Sequence, residues 1–334
     1  MEGYRVLFKE KEKAILEKFE VREPKDDEVV VKVEFNLISS GTEKAFLQGL
    51  PNTGCKFPSN PGYSSVGYVV KLGTGVKDYS VGDRVFVAYG GHANYNVKSV
   101  TQVMKIPDEV SMERAVFMRL ASFPLCAIRR ARLELGESLV VVGLGMLGLL
   151  GVQIASIGGA YPVIAIGNRE IRQQKAQEYG ANYVFSPNEP LLTEKIMEIT
   201  NNLTGIKGAN VVIETSGSES GLVKSLEYTS KYARVMLSGC QREMTQPVDF
   251  YKYVHLRGVQ MIGVHGQTRL PSNSAPGNWT ARRDYRTVFN YMKEGKLTPE
   301  DMVSEYVSPD QITEVYDRLL FDREFPLGVI IDWR

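Results

Sequence analysis

The chain has few of the residues that cross-link small proteins or hold metal ions. Its 334 residues include three cysteines and three histidines. Cys55, Cys126 and Cys240 lie far apart, and no two form a Cys-x-x-Cys pair. This spacing argues against a disulfide framework and against a zinc site built from paired cysteines. We therefore interpret each cysteine as a small buried apolar residue.

An excess of either charge is also missing. Lys and Arg number 40 against 39 Asp and Glu, which gives a formal net charge of +1. A nucleic-acid binder would show a clustered basic face, and no such run occurs. The first five residues begin no apolar signal segment, and no stretch approaches the ~20 apolar residues of a membrane span. We expect no nucleic-acid partner, no membrane association and a cytoplasmic location.

The length and the pattern of the chain indicate two domains, because one hydrophobic core rarely grows past about 250 to 300 residues. From about Tyr4 to Val110 the chain consists of short strand-like runs, such as 28–35, 65–73 and 83–87, separated by Gly, Pro and Asp. Frequent short strands of this kind are typical of a compact, barrel-like β domain.

Beyond residue 110 the pattern changes to alternating strands and helices, which indicates a parallel sheet covered by helices on both faces. The predicted strands are 139–142, 163–166, 211–214, 234–237 and 260–263. The tail from about Asn278 predicts two helices and a last strand at 328–332. The fold class is therefore α/β, with a β-rich domain beside a doubly wound sheet.

A glycine-rich turn, Gly143-Leu144-Gly145-Met146-Leu147-Gly148, follows the first of these strands and opens a helix. Dinucleotide binding requires that context. Of the three glycines, the first permits a tight turn, the second lets the backbone approach a pyrophosphate and the third lets helix and strand pack closely. We predict that Gly143, Gly145, Met146, Leu147 and Gly148 bind the cofactor, partly through N–H groups at the helix start. The alternative is a glycine-rich turn without a ligand.

The choice between NAD and NADP depends on the end of the second strand. An NAD enzyme would place Asp or Glu there to bond the ribose 2′-hydroxyl. This chain has Gly167-Asn168-Arg169 instead, so no carboxylate repels a 2′-phosphate and Arg169 supplies a charge-assisted donor. Arg172 and Lys175 add positive charge or are solvated helix residues. We predict NADP(H), with Gly167, Asn168, Arg169 and Arg172 in its site.

Three segments resemble the medium-chain dehydrogenase/reductase superfamily, which includes the zinc-type alcohol and polyol dehydrogenases: Ile38-Ser39-Ser40-Gly41-Thr42-Glu43, Asn60-Pro61-Gly62-Tyr63-Ser64-Ser65-Val66-Gly67 and Gly82-Asp83-Arg84-Val85. The resemblance implies a GroES-like catalytic domain at 1–122 and 268–334, and a Rossmann domain at 123–267. It also implies a homodimer or homotetramer that acts on a small-molecule substrate.

The zinc ligands of that family are replaced here. By the resemblance, Ser40 stands where a zinc-binding cysteine would be, Tyr63 where the histidine would be and Ser64 where the glutamate would be. Met118 lies near the position of a further glutamate ligand in polyol dehydrogenases. Serine hydroxyls and a phenol do not usually replace thiolate, imidazole and carboxylate as zinc ligands. We therefore predict a branch of the family without zinc.

Without a metal, a side chain must take the alcohol proton or return it. The resemblance makes Tyr63 the best-placed candidate, and matches Thr42 to a hydroxyl that relays the substrate proton. Ser40 is a further hydroxyl for the same oxygen. His92, in a loop that borders the substrate cleft in the family, is a second acid or base. Structural roles stay open for each residue.

Three residues are candidates for substrate binding. Glu43 bonds either substrate hydroxyls or the backbone. Arg119 either anchors an anionic or polyhydroxylated substrate or forms an interdomain salt bridge. His265 follows the last Rossmann strand, where family members contact the nicotinamide end, and His255 is interpreted as structural.

These observations favour a zinc-independent, NADP(H)-linked oxidoreductase that interconverts a secondary alcohol and a ketone, on a sugar or a cyclic polyol. Two alternatives remain. A quinone or enoyl reductase needs no zinc, although the retained Gly41-Thr42-Glu43 segment is typical of polyol enzymes. A non-catalytic NADPH-binding protein would also tolerate the loss of metal ligands.

Overall fold

The computed structural model describes every residue except Glu243 and Gln246. The described strands are β1 (Glu2–Glu10), β2 (Lys13–Glu20), β3 (Glu28–Ile38), β4 (Ser64–Leu72), β5 (Arg84–Ala88), β6 (Tyr95–Ser99), β7 (Val103–Lys105), β8 (Leu139–Val142), β9 (Val163–Ile166), β10 (Tyr183–Phe185), β11 (Ala209–Glu214), β12 (Thr229–Leu237), β13 (Gln260–Gly263), β14 (Val303–Val307) and β15 (Gly328–Asp332).

The described α-helices are α1 (Ser40–Leu47), α2 (Met112–Ala115), α3 (Met118–Ala131), α4 (Met146–Ile157), α5 (Glu170–Glu178), α6 (Leu192–Thr204), α7 (Glu219–Glu227), α8 (Ala281–Lys293) and α9 (Ile312–Phe321). Within the described part of the chain, no helix is both long enough and apolar enough to cross a bilayer.

The chain divides into two compact units, Met1–Arg119 with Phe289–Arg334 and Leu120–Val288. The sequence-based division gave residues 268–288 to the first domain, whereas the structure assigns them to the second unit. The reason is a set of hydrogen bonds to α3. Arg269 Nη2 donates to the Ser122 carbonyl at 2.5 Å, and Arg129 Nη1 donates to Asp284 Oδ1 at 2.5 Å.

The first unit contains a seven-stranded sheet in the order β14-β15-β3-β4-β5-β7, with β6 also paired to β3. Strands β1 and β2 form a separate antiparallel hairpin. Alternate residues of β3, such as Val29, Val31 and Val33, are buried in one core, as expected for strands with one face toward that core. This sheet fixes the end of β3 and the start of β4, which carry the residues of the candidate active site.

The second unit is a six-stranded parallel sheet in the order β10-β9-β8-β11-β12-β13. Strands β8 and β9 are fully buried, which explains their unbroken apolar sequences. The strand order reverses between β8 and β11, and ligands of such sheets bind at the carboxyl ends of the strands near this point. The predicted α/β fold is confirmed.

The cysteines differ from the prediction of three buried residues. All three are free, but only Cys126 is buried, whereas Cys55 is half-buried and Cys240 is exposed. Cys240 follows β12 in a loop, where it is not enclosed by the sheet core.

Candidate active site

The first candidate site of the first unit lies where β3 leads into α1. β3 ends at Ile38, Ser39 precedes the helix and Ser40 is its first residue. The Tyr63 hydroxyl donates a hydrogen bond to Ser39 Oγ at 2.5 Å. The phenol therefore lies beside the N-terminal end of α1.

Glu43 is the centre of a buried hydrogen-bond network. Its carboxylate accepts hydrogen bonds from the Ser39 N–H at 2.8 Å and from the Tyr316 hydroxyl at 2.6 Å, and lies 3.0 Å from His92 Nε2. We call Ser39, Glu43, Tyr63, His92 and Tyr316 the tyrosine cluster. Burial acts to raise the pKa of Glu43, but the charge and hydrogen bonds of His92, with the bonds from Tyr316 and Ser39, hold it below its ordinary value.

The positions of Glu43 and His92 differ from what the sequence suggested. Both were candidates for contact with substrate, yet Glu43 is 3% exposed and His92 is fully buried. His92 occupies space that Gly62 leaves open, since a Cβ at Gly62 would lie 2.6 Å from His92 Nδ1. In this structure the two residues form the buried part of the cluster, and Glu43 accepts a hydrogen bond from the Ser39 backbone, the second of its two predicted alternatives.

The donor set at the positions of the zinc ligands does not suit zinc. Ser64 is buried and donates to the Val116 carbonyl at 2.5 Å, while Tyr63 is bonded to Ser39. Ser40 is half-buried in the first turn of α1, together with Thr42. Across the described residues, no group of three or more His, Cys, Asp or Glu is placed to hold a metal ion. Hydroxyl groups that already donate to protein acceptors are poor zinc ligands.

Arg119 does not project toward solvent as a substrate anchor would. It is 3% exposed, and its guanidinium lies 3.9 Å from the ring centroid of Tyr89. Tyr89, which the sequence analysis did not single out, is 49% exposed. No local sequence pattern marks this pair, because the two residues lie on different elements.

The second unit contains the glycine-rich turn at the carboxyl end of β8. A Cβ on Gly148 would lie 1.8 Å from the Gly143 carbonyl oxygen, so the third position requires glycine. No atom lies within 4 Å of a Cβ placed on Gly145, which leaves room for a ligand's phosphates. Met146 and Leu147 begin α4, whose start has no side-chain cap, so their N–H groups are available to an anion.

Residues at the end of β11 and directly after it complete this turn and were missed from the sequence. Thr215 Oγ1 donates to the carbonyls of Val142 and Gly143, at 2.9 and 2.8 Å. The Glu214 carboxylate accepts from the N–H groups of Ser216 and Gly217, and burial raises the pKa of Glu214. The strand order places β11 beside β8, so the signal lay in the topology and not in the local sequence.

The segment that follows β9 has no carboxylate at residues 167–169, and Arg169 and Arg172 flank Glu170, the first residue of α5. Gly167 packs tightly, because a Cβ there would lie 2.7 Å from Leu144. Asn168 is exposed, and Arg169 directly precedes α5. Burial, followed by the charge of Arg169, lowers the pKa of Arg172 to about 10. The predicted contact of these two arginines with a 2′-phosphate stays a prediction.

His265 is exposed and organises its own loop. Its Nδ1 accepts a hydrogen bond from the Gln267 N–H at 3.3 Å, and its backbone N–H donates to Thr268 Oγ1 at the same distance. These contacts are those of a capping residue, and the predicted contact of His265 with substrate stays a prediction.

Comparisons with known proteins agree with both units. A family model described as the alcohol dehydrogenase GroES-like domain matches residues 25–108, and one described as zinc-binding dehydrogenase matches residues 147–280. D-guloside 3-dehydrogenase of Escherichia coli is 27% identical over 260 residues, which cover 76% of this chain and 72% of that protein.

Solved structures share the fold over the whole chain. A Sinorhizobium meliloti protein with bound NADP superposes with a TM-score of 0.83, at 20% identity and 100% coverage of both chains. An Escherichia coli alcohol dehydrogenase in complex with NADH has a TM-score of 0.83, at 19% identity and 99% coverage of both chains.

The GroES-like sheet, the parallel sheet with its glycine turn, and the two family models lead to one conclusion. The chain belongs to the superfamily of zinc-type medium-chain alcohol and polyol dehydrogenases.

Proposed function

We propose that this protein is a zinc-independent, NADP(H)-dependent oxidoreductase that interconverts a secondary alcohol and a ketone on a sugar or a cyclic polyol. The observation that carries the proposal is the 2.5 Å hydrogen bond from the Tyr63 hydroxyl to Ser39 Oγ, at the position of a lost zinc ligand. This arrangement supplies a proton donor where relatives would use a Lewis acid.

The reaction balances as ketone + NADPH + H⁺ giving alcohol + NADP⁺. The glycine-rich turn at Gly143–Gly148 would hold NADPH, which would supply the hydride for the carbonyl carbon. Tyr63 gives its phenolic proton to the carbonyl oxygen as the negative charge develops there. Ser39, which accepts the Tyr63 hydrogen bond in the resting site, then donates its own hydrogen bond to the phenolate, and the H⁺ consumed in the reaction restores the phenol. In the oxidative direction each proton moves the opposite way.

The tyrosine cluster and the helix start tune this chemistry. A phenol has a reference pKa of ~10, so it needs nearby positive charge to act as a base near neutrality. The α1 dipole supplies part of that charge. Glu43 holds the Ser39 backbone through its N–H, and so fixes the hydroxyl that Tyr63 contacts.

The preference for NADP(H) rests on Arg169 and Arg172. A 2′-phosphate beside these guanidinium groups would relieve their mutual repulsion and form charge-assisted hydrogen bonds. The absence of a side chain at Gly167 removes the carboxylate that would bond a ribose 2′-hydroxyl. The sugar or polyol substrate class is supported by the similarity to D-guloside 3-dehydrogenase.

The proposal is tested by incubating purified protein with NADP⁺ or NAD⁺ and a panel of methyl glycosides, inositols and simple secondary alcohols. We expect formation of NADPH, measured by its absorbance, with a ketone product and faster turnover with NADP⁺ than with NAD⁺. Reduction of quinones or conjugated enones without activity on polyols would instead identify a quinone or enoyl reductase. Tight NADPH binding without turnover of any substrate would identify a non-catalytic protein.

A further inference from the structure

Tyr89 adopts a backbone conformation that is unfavourable for a large side chain. It follows β5 with a φ of 58°, in the left-handed region. This conformation is strained for a non-glycine residue, and such residues cluster at functional sites. The ring is nevertheless 49% exposed, so burial of Tyr89 in the core does not account for the strain.

A buried cation supports this exposed ring from one side. The Arg119 guanidinium lies 3.9 Å from the ring centroid of Tyr89 and is almost entirely shielded from water. Cation–π contacts are stronger when the cation is desolvated. The contact restrains the ring, so a ligand that packs against it has little side-chain entropy left to remove.

The backbone places Tyr89 next to the proposed proton donor. Ser64 pairs with Ala88 in the antiparallel β4–β5 ladder, and the Tyr89 N–H donates to the Tyr63 carbonyl at 2.9 Å. The hydrogen bond from Ser64 Oγ to the Val116 carbonyl also joins the Tyr63 segment to the chain that leads into Arg119. Tyr63 and Tyr89 therefore leave the sheet side by side.

From this placement we infer that Tyr89, supported by Arg119, is the surface on which the ring of a cyclic sugar or polyol substrate packs. This inference rests on the proposed function, and it names the residue that selects the substrate class. The axial C–H bonds of a pyranose or cyclitol form an apolar face that matches an aromatic ring, while the hydroxyls stay free for Tyr63. An acyclic secondary alcohol has no such face and gains little from the contact.

The test compares KM and kcat for a cyclic and an acyclic substrate, methyl β-D-glucopyranoside or myo-inositol against 2-butanol. The variants are Tyr89→Gly, which removes the ring and suits the left-handed backbone, and Tyr89→Phe, which keeps the ring. We expect Tyr89→Gly to raise KM for the cyclic substrate about 10-fold, the effect of losing a ring contact near 1.4 kcal/mol, with less than about 2-fold change for 2-butanol. Tyr89→Phe should restore the KM for the cyclic substrate.

Tyr232→Gly is the matched control, since Tyr232 is also exposed and has a φ of 62° in the second unit. Tyr232→Gly should leave KM and kcat unchanged for both substrates. Equal effects of Tyr89→Gly on cyclic and acyclic substrates would overturn the inference, as would a wild-type protein that oxidises acyclic alcohols only.

A binding measurement separates this inference from the proposed function. Saturation-transfer NMR with methyl β-D-glucopyranoside, in the presence of NADP⁺, should show transfer to the ring protons with wild type and a loss of that transfer with Tyr89→Gly. If no alcohol is oxidised, the proposed function fails. The saturation transfer then decides by itself whether Tyr89 packs against the sugar ring. The absence of a difference between wild type and Tyr89→Gly would contradict it.

Discussion

The glycine turn of the second unit and the tyrosine cluster of the first unit are built in opposite ways. The turn is made of backbone, and its geometry is fixed within six residues by glycines such as Gly148, where even a Cβ would collide with the Gly143 carbonyl. The cluster is made of side chains, and its Glu43 and Tyr316 are 273 residues apart in the chain. A local pattern therefore carries the backbone path of the turn, to which only Thr215 adds distant hydrogen bonds, whereas the whole cluster exists only once the fold has formed.

The largest expected effect comes from the backbone site. Gly148→Ala should abolish measurable NADP(H) binding, because the added methyl meets the Gly143 carbonyl oxygen and forces α4 away from the turn. Binding is measured by NADPH fluorescence, with circular dichroism to confirm the fold. Gly151→Ala, one turn further along α4, is the control, since its Cβ would be in ordinary contact at 3.7 Å from Pro124. Unchanged binding by a folded Gly148→Ala protein would contradict the assignment of the turn.

The second-largest expected effect comes from the tyrosine cluster. Tyr63→Phe should lower kcat by roughly 10²- to 10⁴-fold, the range for loss of a general acid or base, with NADP(H) binding unchanged. Steady-state kinetics with the preferred alcohol give both quantities. Tyr232→Phe removes an exposed hydroxyl elsewhere and should retain full kcat. If Tyr63→Phe keeps its kcat, another group carries the proton.

The third prediction concerns the preference for NADP⁺ over NAD⁺ and tests a residue that follows β9. Arg169→Ala should weaken NADP⁺ binding roughly 10- to 100-fold, because hydrogen bonds to charged groups contribute about 1.5–3 kcal/mol. NAD⁺ has no 2′-phosphate, so its affinity should change little. The measurement is the ratio of kcat/KM for the two coenzymes, with Lys207→Ala as a control that removes one exposed charge of the same unit. A parallel loss with both coenzymes would contradict a 2′-phosphate site.

The smallest effect concerns stability. Glu43→Gln should reduce the free energy of unfolding by about 1–3 kcal/mol, because a buried network loses its charged acceptor. The pKa of Glu43 is held below its ordinary 4.5, so the ionised carboxylate contributes stability above about pH 4.5 and loses it as the pH falls through the folded-state pKa. The difference in free energy of unfolding between wild type and Glu43→Gln, measured with urea, should therefore become smaller below pH 4.5. Glu20→Gln, on the surface, should show no such difference. A difference in free energy of unfolding that does not change with pH would show that the effect comes from packing and not from charge.

The same contrast explains what the sequence could and could not predict. The parallel sheet, the β-rich domain and the glycine turn follow from local periodicity and from glycine spacing, and the structure has them. The burial of His92 behind Glu43, and the partnership of Tyr63 with Ser39, depend on contacts between separate strands and helices. The two compact units divide the chain differently at residues 268–288, where the bonds of Arg269 and Asp284 to α3 leave no pattern in the sequence.

The central claim is that the site transfers its proton without a metal. The most direct measurement is kcat for NADP⁺-linked polyol oxidation before and after exhaustive treatment with a chelator, followed by titration with Zn²⁺. The account predicts that kcat is unchanged by the chelator and does not rise with Zn²⁺, while Tyr63→Phe stays impaired under both conditions. Activity that disappears with the chelator and returns with Zn²⁺ would contradict it.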